Sequence, residues 1–128
     1  MRTLPTLLAA LTLLIGASSC STTPGEQMPA TSPTITVTST TVLVDVRTAE
    51  EWATGHLDGA ELLDFTSGEF AAAIPTLDAD ADYVVYCRSG NRAEQAIALL
   101  NEAGINQTVN AGSVEEASAA TGIDIVTN

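Results

Sequence analysis

Two short runs leave this chain little choice of fold. Val42-Leu43-Val44-Asp45-Val46 and Tyr83-Val84-Val85-Tyr86 are rich in β-branched and aromatic residues and nearly unbroken by polar ones. A strand with one wet face alternates apolar and polar residues, whereas a strand covered on both faces does not. These two runs read as central parallel strands. Shorter candidates at Ile35 to Val37, Ala60 to Leu63 and Gln107 to Asn110 read as strands nearer the sheet edges.

Helical patterns alternate with these runs. Thr48 with Glu51, Thr66 with Glu69, and Ser113 with Glu116 each place a hydroxyl three residues before a carboxylate. That is the capping-box pattern, in which the two side chains satisfy backbone N–H groups at a helix start. It accounts for those glutamates without any catalytic role. The longest helix is expected from Asn91 to Ala103, with Ala93, Ala96, Ile97 and Leu100 on one face and Gly104 ending it. Strands alternating with helices imply an α/β domain, a small, mainly parallel sheet with helices on both faces. Ligands of such sheets collect at the carboxyl ends of the strands. There the second run delivers Cys87 and the first delivers Asp45 and Arg47; if the two strands are neighbours, all three meet on one edge.

At 128 residues there is room for one domain, and the N-terminal third does not belong to it. Residues 1–19 have a signal peptide's layout: Arg2, an apolar run from Leu7 to Ile15, then small residues. The run is shorter than the roughly 20 apolar residues that a membrane-spanning helix needs. Ala17-Ser18-Ser19-Cys20 resembles the lipobox of bacterial lipoproteins, with alanine where leucine is usual, so Cys20 is expected to carry a lipid. Residues 20–34, rich in Ser, Thr and Pro, read as a tether, and 35–128 as the folded domain. The expected location is the bacterial cell envelope, outside the cytosol and held by the lipid alone. Two cysteines in an exported chain would ordinarily suggest a disulfide, but lipidation would consume Cys20 and leave Cys87 as a thiol.

The chain holds 16 acidic residues, four arginines and no lysine. Without Arg2, three arginines face the same 16 acids, a formal −13. Nucleic acids and anionic membrane surfaces, which demand clustered positive charge, are excluded as partners. Yet Arg88 and Arg92 both stand within five residues of Cys87, in Cys87-Arg88-Ser89-Gly90-Asn91-Arg92. A loop between a buried strand and a helix N-terminus can aim its N–H groups inward as an anion nest. The helix dipole and two guanidiniums favour thiolate, the nucleophilic form of cysteine. Gly90 supplies the tight turn. The plainer alternatives are a buried cysteine ending a strand and arginines that merely solubilise; in so acidic a chain, solubility is a weak reason for arginine.

Three ordered motifs carry a family resemblance: Leu43-Val44-Asp45-Val46-Arg47, then Glu51-Trp52-Ala53-Thr54-Gly55-His56-Leu57-Asp58-Gly59-Ala60, then Tyr86-Cys87-Arg88-Ser89-Gly90-Asn91-Arg92. Together they resemble a single-domain rhodanese. The resemblance implies a thiosulfate sulfurtransferase type of reaction with Cys87 as nucleophile and the loop from Arg88 through Ser89, Gly90 and Asn91 to Arg92 as the anion cradle. It implies that Asp45 and Arg47 brace the loop, and that His56, the only histidine, belongs to a structural turn. Four residues separate Cys87 from Arg92, the spacing of rhodaneses, whereas the related phosphatases use one more; phosphatase or arsenate reductase activity is the weaker alternative. No cofactor or metal is implied. The expected partners are a small anionic sulfur donor and a thiol or cyanide acceptor, and the expected state is a monomer. An anchored persulfide carrier without turnover is the competing reading. The chain departs from the family pattern at Asp58, where proline is frequent, and at Asn110-Ala111-Gly112-Ser113, where Gly-Gly before tryptophan is frequent.

Overall fold

A computed structural model describes residues 33–128. The expected signal peptide over 1–19, Cys20 and nearly all of the 20–34 tether lie outside the described residues. Along the rest of the chain run β1 (Thr41–Asp45), α1 (Ala49–Ala53), β2 (His56–Leu57), β3 (Glu61–Leu62), α2 (Glu69–Ala73), β4 (Asp82–Tyr86), α3 (Asn91–Glu102), β5 (Thr108–Asn110), α4 (Val114–Thr121) and β6 (Ile125–Val126). A single 3-10 turn, Ile74–Thr76, follows α2.

The four-stranded sheet has the order β3-β1-β4-β5, and every neighbouring pair in it is parallel. The two continuous apolar runs are its central strands, in register from Thr41 opposite Asp82 to Asp45 opposite Tyr86. Val46 extends the pairing by one bond, its N–H donating to the Tyr86 carbonyl at 3.1 Å. Alternate residues go to opposite faces, as the strand's period of two requires. Val44, Val46, Tyr83, Val85 and Cys87 join one core with Phe70, Ala93, Ala96 and Leu100 of α2 and α3. Leu43, Val84 and Tyr86 join the other with Leu57, Val114 and Ala117. Side chains such as Val44 and Val85, fully removed from water, each contribute about 1.5–3 kcal/mol of burial.

Two of the three expected capping boxes form. Thr48 accepts from the N–H of Glu51 while Glu51 accepts from that of Thr48, and Ser113 and Glu116 do the same for α4. The third does not. Asp64 takes both the hydroxyl and the N–H of Thr66 at 2.7 Å through one carboxylate oxygen, so α2 starts instead after Gly68, with no side-chain cap. A carboxylate two residues upstream competes for the same groups by a shorter path. Residues 35–37 are not a strand either: the Ile35 N–H donates to the Ala120 carbonyl at 2.8 Å, at the end of α4 rather than along a strand edge. In the other direction, β2 and β6 form an antiparallel pair, His56 opposite Val126 and Leu57 opposite Ile125, that the apolar pattern does not announce.

Candidate active site

Parallel pairing of β1 with β4 brings their carboxyl ends together, and with them Asp45, Arg47 and Cys87. Cys87 is the first residue after β4 and is a fully buried free thiol. Its N–H donates to the Gly112 carbonyl at 3.0 Å, which fixes the strand exit against the β5–α4 connection. The chain then turns through Arg88 and Ser89 to Gly90, whose φ of +87° is open to glycine at little cost. In that conformation the Gly90 N–H points back and donates to the Cys87 sulfur at 3.0 Å.

The far side of the turn is held by Asn110, a contact 20 residues away in sequence. Its Nδ2 donates to the Gly90 carbonyl at 3.0 Å, and its Oδ1 accepts from the Gly112 N–H at 3.0 Å. Gly90 is thus tied on both sides, its N–H to the sulfur and its carbonyl to Asn110. Burial pushes the Cys87 thiol up, but the backbone amides of Ala93, Ser89, Gly90 and Arg92 outweigh it and hold the thiol below its ordinary value. Dipoles of the first turn of α3 act in the same direction.

Asp45 and Arg47 form a closed, buried pair. Arg47 Nε reaches Asp45 Oδ1 at 2.9 Å, and Nη2 reaches Oδ2 at 2.6 Å. The same Nη2 donates to the Gly55 carbonyl at 2.6 Å, and the guanidinium lies 5.8 Å from the centre of the Tyr86 ring. Arg47 therefore ties β1 to the turn before β2 and to the residue preceding Cys87. Every buried polar side-chain atom among the described residues has a partner.

His56 is 3% exposed and stacks on Trp52 with ring centroids 3.5 Å apart. Its Nδ1 lies 3.2 Å from the Trp52 carbonyl, which can only accept, so Nδ1 carries the proton. His56 is the first residue of β2, and these contacts tie that strand to α1.

The two loop arginines have different surroundings. Arg88 is exposed and has no carboxylate partner among the described residues. Arg92 is gripped by Glu51: Nη1 to Oε2 and Nη2 to Oε1, both at 2.8 Å. Glu51 is lowered to about 2, chiefly by Arg92, with the Thr48 bonds adding to the effect against the cost of burial. The sequence assigns Glu51 its cap but not this second role; only the scarcity of cations hints that some acid must face Arg92. A groove of about 500 Å³ lies beside the loop, with Arg47, Glu50, Glu51, Arg88 and Glu115 among its walls. Among the described residues no group of three or more His, Cys, Asp or Glu side chains could hold a metal ion.

Comparison with known proteins agrees with this geometry. The protein named "Probable adenylyltransferase/sulfurtransferase MoeZ", of Mycobacterium tuberculosis, is 39% identical over 70 residues, 52% of this chain but only 17% of that protein. A protein named "Sulfurtransferase", of Allochromatium vinosum, is 36% identical over 73 residues, spanning 57% of this chain and 66% of the relative. Among solved structures, a rhodanese with anions from E. coli superposes with a TM-score of 0.56 at 27% identity, over 69% of this chain and 99% of that one. The rhodanese-like domain of the Anabaena protein Alr3790 shares the fold at a TM-score of 0.58 and 24% identity, over 70% and 67% of the two chains. The model of the rhodanese-like domain matches residues 34–120, and the chain belongs to that family.

Proposed function

We propose that the protein is a sulfurtransferase that carries sulfane sulfur on Cys87. The observation that carries this reading is the 3.0 Å bond from the Gly90 N–H to the Cys87 sulfur, in a loop whose amides hold the thiol below its ordinary value. The sulfurtransferase names of the relatives support it. With thiosulfate as donor, the Cys87 thiolate attacks the outer sulfur, the S–S bond of the donor breaks, and sulfite leaves with the electron pair. The transferred sulfur remains as a Cys87 persulfide anion, which the amides of Arg88 to Arg92 stabilise as an oxyanion hole stabilises oxygen. Cyanide or a thiolate then attacks that outer sulfur and releases the Cys87 thiolate, a two-step covalent cycle. Arg88 would draw the anionic donor, Arg92 would add to this only as far as its pairing with Glu51 leaves it free, and Asp45 and Arg47 would brace the strand ends from which the loop hangs.

The thiol has no exposed surface, so a shift of the loop or its side chains must precede attack. That burial favours a second reading, a carrier that holds one persulfide for a partner without rapid turnover. Intact mass spectrometry after thiosulfate tests the common step: a sulfur-sized gain on Cys87, reversed by cyanide, is expected, and no gain overturns the proposal. Steady-state turnover of thiosulfate and cyanide that is lost in Cys87→Ala identifies an enzyme; a single sulfur per chain without turnover identifies a carrier. We place this chemistry outside the cytosol on an anchor at Cys20, supported by the residue pattern of 1–20. Cys20→Ser should then move the protein from the membrane fraction to the soluble fraction.

A further inference from the structure

We propose that Glu51 sets the charge of the donor, making this site favour sulfane-sulfur donors with one negative charge, such as thiosulfonate anions, over dianionic thiosulfate. The inference rests on the sulfur-transfer reading and goes beyond it to the substrate class. Three arginines occur among the described residues, and two are already matched by carboxylates: Arg47 by Asp45 and Arg92 by Glu51. The Glu51–Arg92 pair is no casual surface contact. Both terminal guanidinium nitrogens are engaged at 2.8 Å, and the side chains are only 22% and 27% exposed.

The groove beside the loop presents one unmatched guanidinium, that of Arg88, beside Glu50, Glu51 and Glu115, and Arg92, raised above its ordinary value first by Glu51 and then by the nearby Cys87 sulfur, reaches the site already held by a carboxylate. A second negative charge on the donor gains little from Arg92 while Glu51 holds it, and is repelled by the same carboxylate. Screening weakens distant charges at physiological salt, where the Debye length is about 8 Å, but not groups on the wall of the site. Glu51 stays ionised throughout the physiological range, since its carboxyl is lowered to about 2.

The variant that isolates this effect is Glu51→Gln. Glutamine also serves at the third position of a capping box, so the cap of α1 is retained while the charge is removed. Thiosulfate and methanethiosulfonate present the same outer sulfur, leave as sulfite and methanesulfinate, and yield the same Cys87 persulfide. Their kcat/KM values should be compared in the full chain. The ratio of thiosulfate to methanethiosulfonate should rise by about fivefold in Glu51→Gln, the scale of one removed charge at a partly shielded site; an unmoved ratio overturns the proposal.

A second measurement separates failure of this inference from failure of the sulfur-transfer reading. Cys87 is alkylated in parallel with iodoacetate, an anion, and iodoacetamide, which is neutral. Both need the same thiolate, so the ratio of their rates cancels any change in thiolate fraction and reports charge at the sulfur. That ratio should rise in Glu51→Gln, and if it does not, Glu51 does not govern anion approach. If neither donor yields a persulfide in the unmodified protein, the donor proposal falls with the sulfur-transfer reading, whatever the alkylation ratio shows.

Discussion

Among the described residues two arginine–carboxylate pairs lie near the ends of the central strands, and they are built for opposite purposes. Asp45–Arg47 spans two residues, is almost wholly buried, and is completed by the Gly55 carbonyl and the Tyr86 ring. Glu51–Arg92 spans 41 residues, joins α1 to α3, and keeps about a quarter of its side-chain surface in water. The first pair cannot open without leaving a buried charge alone; the second keeps water beside both partners and can lose one of them without stranding a buried charge. Burial, rather than bond length, separates scaffold from selector.

The sharpest way to break this contrast is to remove one carboxylate from each pair. Asp45→Ala leaves the guanidinium of Arg47, 4% exposed, without its counter-charge, and should destabilise the fold by about 3–5 kcal/mol. Urea unfolding would show this as a lower midpoint at unchanged slope. A loss below 1 kcal/mol would place the pair among ordinary surface contacts. Glu51→Ala removes a partly exposed pair and half of a capping box together, and should cost about 1–2 kcal/mol in the same experiment. Glu51→Gln should recover the capping share of that loss. Equal losses in the two variants would mean that the cap contributes nothing.

Acid gives a smaller effect with a definite sign. Glu51 is lowered from 4.5 to about 2 in the folded chain, so its contribution is complete above about 4.5 and disappears as pH falls through about 2. The stability difference between the parent and Glu51→Gln should therefore be constant near neutrality and narrow across that acid window. A difference that narrowed near pH 7 instead would assign it to another group. Salt should have the smallest effect: raising ionic strength to about 1 M, where the Debye length is about 3 Å, should shrink the effect of Glu51→Gln on the thiosulfate ratio and leave the cost of Asp45→Ala nearly unaltered.

The contrast also marks what could be read in the sequence. The central strands were legible because Val42 to Val46 and Tyr83 to Tyr86 are apolar on consecutive residues, and only a strand covered on both sides needs that. The long helix was legible from Ala93, Ala96 and Leu100, and two of its shorter companions from their caps. Asp45, Arg47 and Cys87 could be brought together because parallel neighbours end on the same edge. What could not be read is whatever depends on the fold being complete. The two-residue strands His56–Leu57 and Ile125–Val126 exist only because each finds the other. Thr66 and Glu69 have the spacing of a cap but meet Asp64 first. Asn110 buttresses Gly90 across 20 residues, and any of 16 acids could have faced Arg92.

Glu51 Oε2 accepts from both the Thr48 N–H, at 3.0 Å, and Arg92 Nη1, at 2.8 Å. The carboxylate is thus fixed by the start of α1 as well as by the arginine. Its position does not depend on the loop that carries Cys87. A negative charge mounted in this way is part of the frame, a sieve whose mesh is set by the fold.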